Sequence, residues 1–183
     1  MKRSKETITL GSGKLFIDEF TGKIPENSEL EKEDNRVGEI QGGAELEYKP
    51  ETYTAEDDLG KVKKTIITKE EAKLKSGVMT WNGETLKKLC ATARVTEDKT
   101  KGTRIVKIGG IANNDNKNYI IRFLHEDKVD GDVRVTIVGK NTAGMTLAFT
   151  KDKETVIDAE FEATPSDSEG TLIIYEEEID VSA

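Results

Sequence analysis

The run Ile40-Gln-Gly-Gly-Ala44-Glu-Leu-Glu-Tyr48-Lys-Pro50-Glu-Thr-Tyr53-Thr-Ala-Glu56-Asp57-Asp58-Leu-Gly60-Lys61-Val-Lys63-Lys64-Thr-Ile66-Ile67, returning through Leu74-Lys-Ser-Gly-Val78-Met-Thr-Trp81, decides how this chain folds. Its two ends are strand-like arms. On the return arm Ala72, Leu74, Ser76 and Val78 alternate with Lys73, Lys75, Gly77 and Met79, the period of a half-buried strand. Between the arms lies a long charged excursion with few apolar residues, a loop of about 44–67. A compact domain carries so large an excursion from its core mainly where a partner receives it. The stretch predicts a β protein built for assembly rather than for chemistry.

The same period recurs outward from this stretch. Leu15 and Ile17 alternate with Phe16 and Asp18. Tyr119, Ile121 and Phe123 oppose Ile120, Arg122 and Leu124, and Val133, Val135 and Ile137 oppose Arg134 and Thr136. Met145, Leu147 and Phe149 form a further apolar face, as do Ile157, Ala159, Phe161 and Ala163. Leu172 and Ile174 alternate with Ile173 and Tyr175. Turn-forming residues separate these runs, and Asp130-Gly131 marks the best short hairpin. Strands at such spacing predict a mainly β fold, a sandwich or barrel of antiparallel strands.

One helix is expected, over about 83–93. Asn82 is its cap, Glu84 lies in its first turn, and Leu86, Leu89 and Cys90 make one apolar stripe. Trp81, just before the cap, is placed to staple the helix to the sheet. The whole chain, 1–183, reads as one domain with a flexible N-terminus of about 1–8.

Composition narrows the function. Apolar residues make up 34% and charged residues 35%, a polar balance that suits a monomer as well as a subunit whose loops and termini order only on assembly. The net charge of −8 argues against tight binding to a phosphate backbone, which needs clustered Lys and Arg. A lone cysteine, Cys90, excludes an intrachain disulfide and points to a reducing place of synthesis. The start Met1-Lys2-Arg3-Ser4-Lys5-Glu6 lacks an apolar run behind its basic residues, so no secretory signal is expected. No stretch approaches the roughly 20 apolar residues of a membrane span.

The candidate chemical motifs fail on spacing. His125 is the single histidine, which makes neither a base–nucleophile pair nor a metal cluster. The Asn113–Asn118 cluster puts Lys117 and Ile120 where a calcium loop needs a ligand and a glycine. Gly11-Ser12-Gly13-Lys14 lacks phosphate-loop spacing and runs into a strand instead of a helix. No catalytic, cofactor or metal site is expected. Asp158, Glu160 and Glu162 recur on one strand face; they read either as a solvated face or as the acidic lining of a channel. The Glu176-Glu177-Glu178 run reads as a second such lining or a solvated tail.

Four pieces carry a family likeness by their combination and order. They are Gly42-Gly43-Ala44-Glu45-Leu46-Glu47-Tyr48-Lys49-Pro50, Tyr53-Thr54-Ala55-Glu56-Asp57-Asp58-Leu59-Gly60, Leu74-Lys75-Ser76-Gly77-Val78-Met79-Thr80-Trp81-Asn82-Gly83 and Gly170-Thr171-Leu172-Ile173-Ile174-Tyr175-Glu176-Glu177-Glu178. With them the chain, from about Leu10 to Asp180, resembles the tail tube (major tail) proteins of tailed bacteriophages. The resemblance implies a β-sandwich or barrel with one flanking helix. It implies hexameric rings that stack into a tube whose lumen passes the genome, in a virion assembled in the host cytoplasm. The partners it implies are further copies of the chain, the tail tip or initiator and tail terminator proteins, and by extension a tape measure protein and a sheath. DNA would pass without specific binding, and no membrane is involved.

Within that likeness the 44–67 loop would reach a neighbouring subunit or ring. Tyr48 and Tyr53 suit interface anchors and Pro50 stiffens the outgoing arm. Asp57, Asp58, Lys61, Lys63 and Lys64 offer both signs of charge for pairing across subunits. Three other readings stand beside it: a tube subunit of a phage-like bacteriocin, a β-sandwich ligand-binding module with exposed aromatics or a calcium turn, and an enzyme working through carboxylates alone.

Overall fold

The computed structural model describes residues 6–180. The expected flexible N-terminus falls partly on residues 1–5, outside the described residues. The chain forms β1 (Lys14–Glu19), α1 (Asn27–Leu30), β2 (Ile40–Glu56), β3 (Lys63–Val78), α2 (Gly83–Leu89), β4 (Arg94–Asp98), β5 (Thr103–Lys107), β6 (Tyr119–His125), β7 (Val133–Asn141), β8 (Ile157–Thr164) and β9 (Ile174–Glu177). The fold is mainly β and its strand pairs are antiparallel, as the alternation predicts.

Seven strands form one sheet in the order β1-β6-β7-β8-β3-β2, with β9 paired to β7. One edge of β7 is taken by β6 over Val133–Gly139. The other is shared: β9 pairs Val133–Thr136 and β8 pairs Val138–Asn141. The sheet curls about its core. Leu15 and Ile17 of β1 lie in one buried cluster with Leu74 and Val78 of β3, although three strands separate β1 from β3 along the sheet. Ile121, Ile137, Ile157 and Phe161 fill this cluster from the strands between, and Leu86 and Leu89 of α2 cover it. On the opposite face Leu30 at the end of α1 packs on Ile120 and Val138.

The helix is shorter than its sequence predicts. Its cap is as read: Asn82 Oδ1 accepts from the N–H groups of Glu84 (2.9 Å) and Thr85 (3.1 Å), and Thr85 Oγ1 accepts from Asn82 N–H in return. The helix ends at Leu89 rather than 93, because the next residues are recruited elsewhere. Ala91 C=O accepts from Asp115 N–H at 3.0 Å, and Thr92 Oγ1 accepts from Gly109 N–H at 3.2 Å.

Other departures have equally local causes. The β6–β7 connection is not a two-residue turn at Asp130-Gly131 but spans 126–132. There Asp127 Oδ1 accepts from Val129 and Asp130 N–H, and Asp132 Oδ1 accepts from Asp127 N–H. The Met145–Phe149 alternation forms no strand, since the adjacent β8 is already paired to β3 and to β7. Its apolar residues fold back on the protein instead: Met145 and Leu147 pack on the core, and Phe149 lies against Trp81 with ring centroids 6.3 Å apart.

Candidate functional site

The 44–67 excursion is not a loop. β2 and β3 continue through it as a paired ladder from Ile40↔Val78 to Glu56↔Lys63, leaving only 57–62 as a turn. Two residue types let it run straight on. Gly42 and Gly43 adopt positive φ (79° and 75°) and absorb a bulge at the base, and Thr68 is the extra residue of a second bulge, its Oγ1 donating to Glu51 C=O. Val, Ile, Thr and Tyr are good strand formers, and the sequence 52–67 supplies Thr52, Tyr53, Thr54, Thr65, Ile66 and Ile67 as directly opposed pairs. What reads as a charged loop is a strand with both faces in water.

This hairpin has two halves. β8 flanks β3 only over Lys73–Val78. Beyond that, from Tyr48↔Ala72 outward, the hairpin projects alone. Nine residues, Tyr48 to Glu56, span roughly 30 Å at about 3.3 Å each. Of the seventeen exposed large hydrophobics among the described residues, six lie here: Tyr48, Tyr53, Leu59, Val62, Ile66 and Ile67. The arm thus concentrates apolar surface that its own chain does not cover, contrary to the sparse apolar content its sequence suggests at first sight.

The charged residues divide by job. Asp57 closes the turn: its Oδ1 accepts Val62 N–H at 2.6 Å, which holds its carboxyl below the ordinary carboxylate value. Gly60, at φ 68°, completes that turn. Lys63 pairs with Glu56 within the hairpin at 3.9 Å. Asp58, Lys61 and Lys64 are exposed at the tip and form no ion pair among the described residues. Tyr48 donates its hydroxyl to Glu70, which raises its pKa and fixes its ring on the arm. Tyr53 stands opposite Ile66 and is 60% exposed; Pro50 stands opposite Glu70.

Asp158, Glu160 and Glu162 do share one solvent-side face of β8, but they do not stand there alone. The register sets Glu45 opposite Lys75, Glu47 opposite Lys73, Lys49 opposite Glu71 and Glu51 opposite Lys69. It also sets Lys75 opposite Glu160, and Glu162 opposite both Lys73 and Lys140. Each of these rungs joins opposite charges. Lys73 Nζ reaches Glu160 at 2.7 Å, and Lys75 Nζ reaches Glu47 at 3.1 Å and Glu45 at 3.3 Å. Hydrogen bonding to Lys75 lowers the Glu47 pKa and raises that of Lys75; Lys69 and Glu71 do the same to each other. The face carries seven carboxylates (Glu45, Glu47, Glu51, Glu71, Asp158, Glu160, Glu162) and five lysines (Lys49, Lys69, Lys73, Lys75, Lys140), net −2. It is an interleaved ladder, only slightly acidic.

Sequence reading misses the most buried charges. Arg122 and Arg134, on adjacent strands, are 3% and 8% exposed. Arg134 grips Glu31 after α1 at 2.7 Å, and lies 3.6 Å from Glu176 and 3.9 Å from Glu178. Arg122 reaches the same Glu31 at 3.1 Å and donates to Thr136 Oγ1 at 2.9 Å. Burial pulls the Arg134 pKa down, but Glu31, Glu176 and Asp132 outweigh it and the net shift is upward. The Glu176–Glu178 run is thereby a clamp that ties the last strand and α1 to β7. Alternating arginines on apolar strands were the available signal.

The remaining candidates have structural places. His125 is buried, with Nδ1 2.8 Å from Ser12 C=O. Cys90 ends the α2 stripe, half-buried, and burial raises its thiol pKa. Asp115 accepts from Tyr119 hydroxyl at 2.8 Å; burial first, then this bond, pushes the Tyr119 pKa up. Gly13 is a packing glycine: a Cβ there would lie 2.2 Å from Leu124 C=O. No cluster of metal-ligating side chains occurs among the described residues, and no helix among them is long and apolar enough to cross a membrane. No protein-family model matches the chain, and no curated protein matches it significantly.

Proposed function

We propose that this protein is a structural subunit that assembles with copies of itself into stacked hexameric rings, the tube of a phage-like tail through which DNA is delivered. The observation that carries the reading is the β2–β3 arm. A two-stranded hairpin standing alone is marginal in water, and one that exposes Tyr53, Ile66 and Ile67 gains by being covered. The wording shared with tail tube proteins supplies the kind of assembly and its symmetry. The charge ladder fits a conduit. Its lysines face carboxylates in register, so a passing phosphate backbone meets few free cations.

The test is negative-stain microscopy of the concentrated protein with light scattering alongside. Uniform hollow tubes or six-fold rings are expected. A species that stays monomeric across a hundred-fold range of concentration, with tail-tip initiator added, contradicts the proposal.

A further inference from the structure

Asn82 is the one asparagine of the sequence that a glycine follows. The two residues stand there for separate structural reasons. Asn82 caps α2, its Oδ1 accepting from Glu84 N–H at 2.9 Å and from Thr85 N–H at 3.1 Å. Gly83 opens the helix against β5, where a Cβ would lie 2.7 Å from Arg104 Cδ and 2.9 Å from Val106 Cγ2. Capping thus favours asparagine at 82, and packing favours glycine at 83. Side by side they make a chemically labile pair that neither requirement calls for alone. An asparagine side-chain amide is open to attack by the next backbone nitrogen, and glycine puts no side chain in the way.

Two features leave this site open to the reaction and one restrains it. Asn82 is exposed, so water reaches its amide. Gly83 N–H, in the first turn, makes no hydrogen bond among the described residues, so no acceptor holds its nitrogen. The restraint is the cap. Besides the two bonds to Oδ1, Thr85 Oγ1 accepts Asn82 N–H at 3.2 Å, and Asn82 C=O accepts Leu86 N–H at 3.1 Å. Ring closure needs rotation about the side-chain and main-chain bonds of Asn82, so these hydrogen bonds must open first. A first helical turn is where such opening costs least.

We propose that Asn82 is a site of spontaneous backbone modification, gated by opening of the first turn of α2. In the open turn the Gly83 nitrogen gives its proton to hydroxide and bonds to Asn82 Cγ. The bond from Cγ to Nδ2 breaks, and that nitrogen takes a proton from water and leaves as ammonia. Water then opens the cyclic imide at one of its two carbonyls. No electron is transferred, and water is the sole co-reactant. Hydrolysis of the new bond to Cγ gives aspartate, which keeps the cap and the fit of Gly83. Hydrolysis of the original peptide bond gives isoaspartate, whose chain runs through Cβ and Cγ. The cap oxygen then becomes the main-chain carbonyl, and the carbonyl that accepted Leu86 N–H becomes a pendant carboxylate. The added carbon also shifts Gly83 against Val106. An isoaspartyl chain cannot rebuild the capping box, so each such event is one-way.

The test ages the full chain at physiological temperature and mildly alkaline pH, folded and in denaturing urea. Peptide mass spectrometry follows the amide-to-acid mass gain at each asparagine, and an isoaspartyl methyltransferase assay detects the branched product. Conversion is expected at Asn82 ahead of every other asparagine. It should be slower in the folded chain than in urea by the factor that protects the Leu86 amide from hydrogen exchange. Thr85→Ala removes the return bond of the cap and should speed conversion and Leu86 exchange together, at least about five-fold. Low urea, below the unfolding transition, gives the same comparison if that variant does not fold. Asn82→Ser keeps a cap without an amide. It should show neither conversion nor the fall of about 2–4 °C in melting temperature expected of the aged chain. Conversion as fast in the folded chain as in urea overturns the gating. No conversion at Asn82 within the time that Leu86 protection predicts, or faster conversion elsewhere, overturns the site.

Discussion

The inner and outer halves of the β2–β3 hairpin are the same two strands under two conditions. In the inner half β3 has β8 on its other edge, and Leu74, Ser76 and Val78 turn alternately into the core at 6% exposure or less. In the outer half no third strand follows, and residues 63–70 are exposed on both faces. Backbone pairing is continuous across the boundary; burial stops there. Hydrogen-bonded pairing alone is thus compatible with either role, and the side chains decide which half supports the fold and which is left for a partner. The inner half contributes stability within the chain. The outer half contributes apolar surface that only another molecule can bury.

That contrast ranks the expected effects of substitution. Leu74→Asp, in the inner half, puts an uncompensated charge in the core and should cost at least about 4 kcal/mol, enough to abolish cooperative thermal unfolding. A normal melting curve would break the division between halves. Arg134→Ala should come next, at about 3–5 kcal/mol, because Glu31, its side chain 15% exposed, then loses one of its two arginine partners. Chemical denaturation measures this, and restored stability in an Arg134→Ala, Glu31→Gln double variant would sharpen it. Asn82→Ala removes the α2 cap and should cost about 1 kcal/mol.

The pH effect on the arm should be smallest. Glu47 and Glu71 lie below the ordinary carboxylate value of 4.5, and Lys69, Lys73 and Lys75 above the ordinary 10.5. A lowered carboxyl stabilises fully above its ordinary value and loses that contribution as pH falls through the lowered one. A raised ammonium stabilises fully below its ordinary value and loses it as pH rises through the raised one. The ladder is therefore fully charged between these limits and weakens outside both. Its groups are solvent-exposed, so the change is small and screened by salt. Amide exchange of 45–51, corrected for intrinsic rates, should rise below pH 4.5 while that of β6 and β7 stays flat.

How far the sequence discloses this depends on what kind of contact each feature needs. Strands whose alternation meets a core on one face are legible: β1, β6, β7, β8 and inner β3 follow from Leu15, Ile121, Val135, Phe161 and Leu74 alone. The α2 cap is legible because Asn82, Glu84 and Thr85 are adjacent in the chain. The outer arm is not, since alternation signals burial and nothing there is buried. Met145–Phe149 misleads for the converse reason, as its apolar face is real but no strand edge is open beside it. The β4–β5 hairpin and α1 are too short and mixed to show a period. At the candidate site, Tyr48 and Tyr53 are recognisable as exposed anchors, but Asp57 as a turn acid and the lysines opposite Glu160 and Glu162 depend on register, which pairing across strands sets.

The arm itself gives the most direct test. Replacing 52–68 with Asn-Gly joins Glu51 to Lys69 across a two-residue turn and removes the outer hairpin. Melting and negative-stain microscopy on that variant beside the intact chain read both halves at once. The account predicts a melting temperature within a few degrees of the intact protein and complete loss of tubes. Normal tubes from the shortened chain would contradict it.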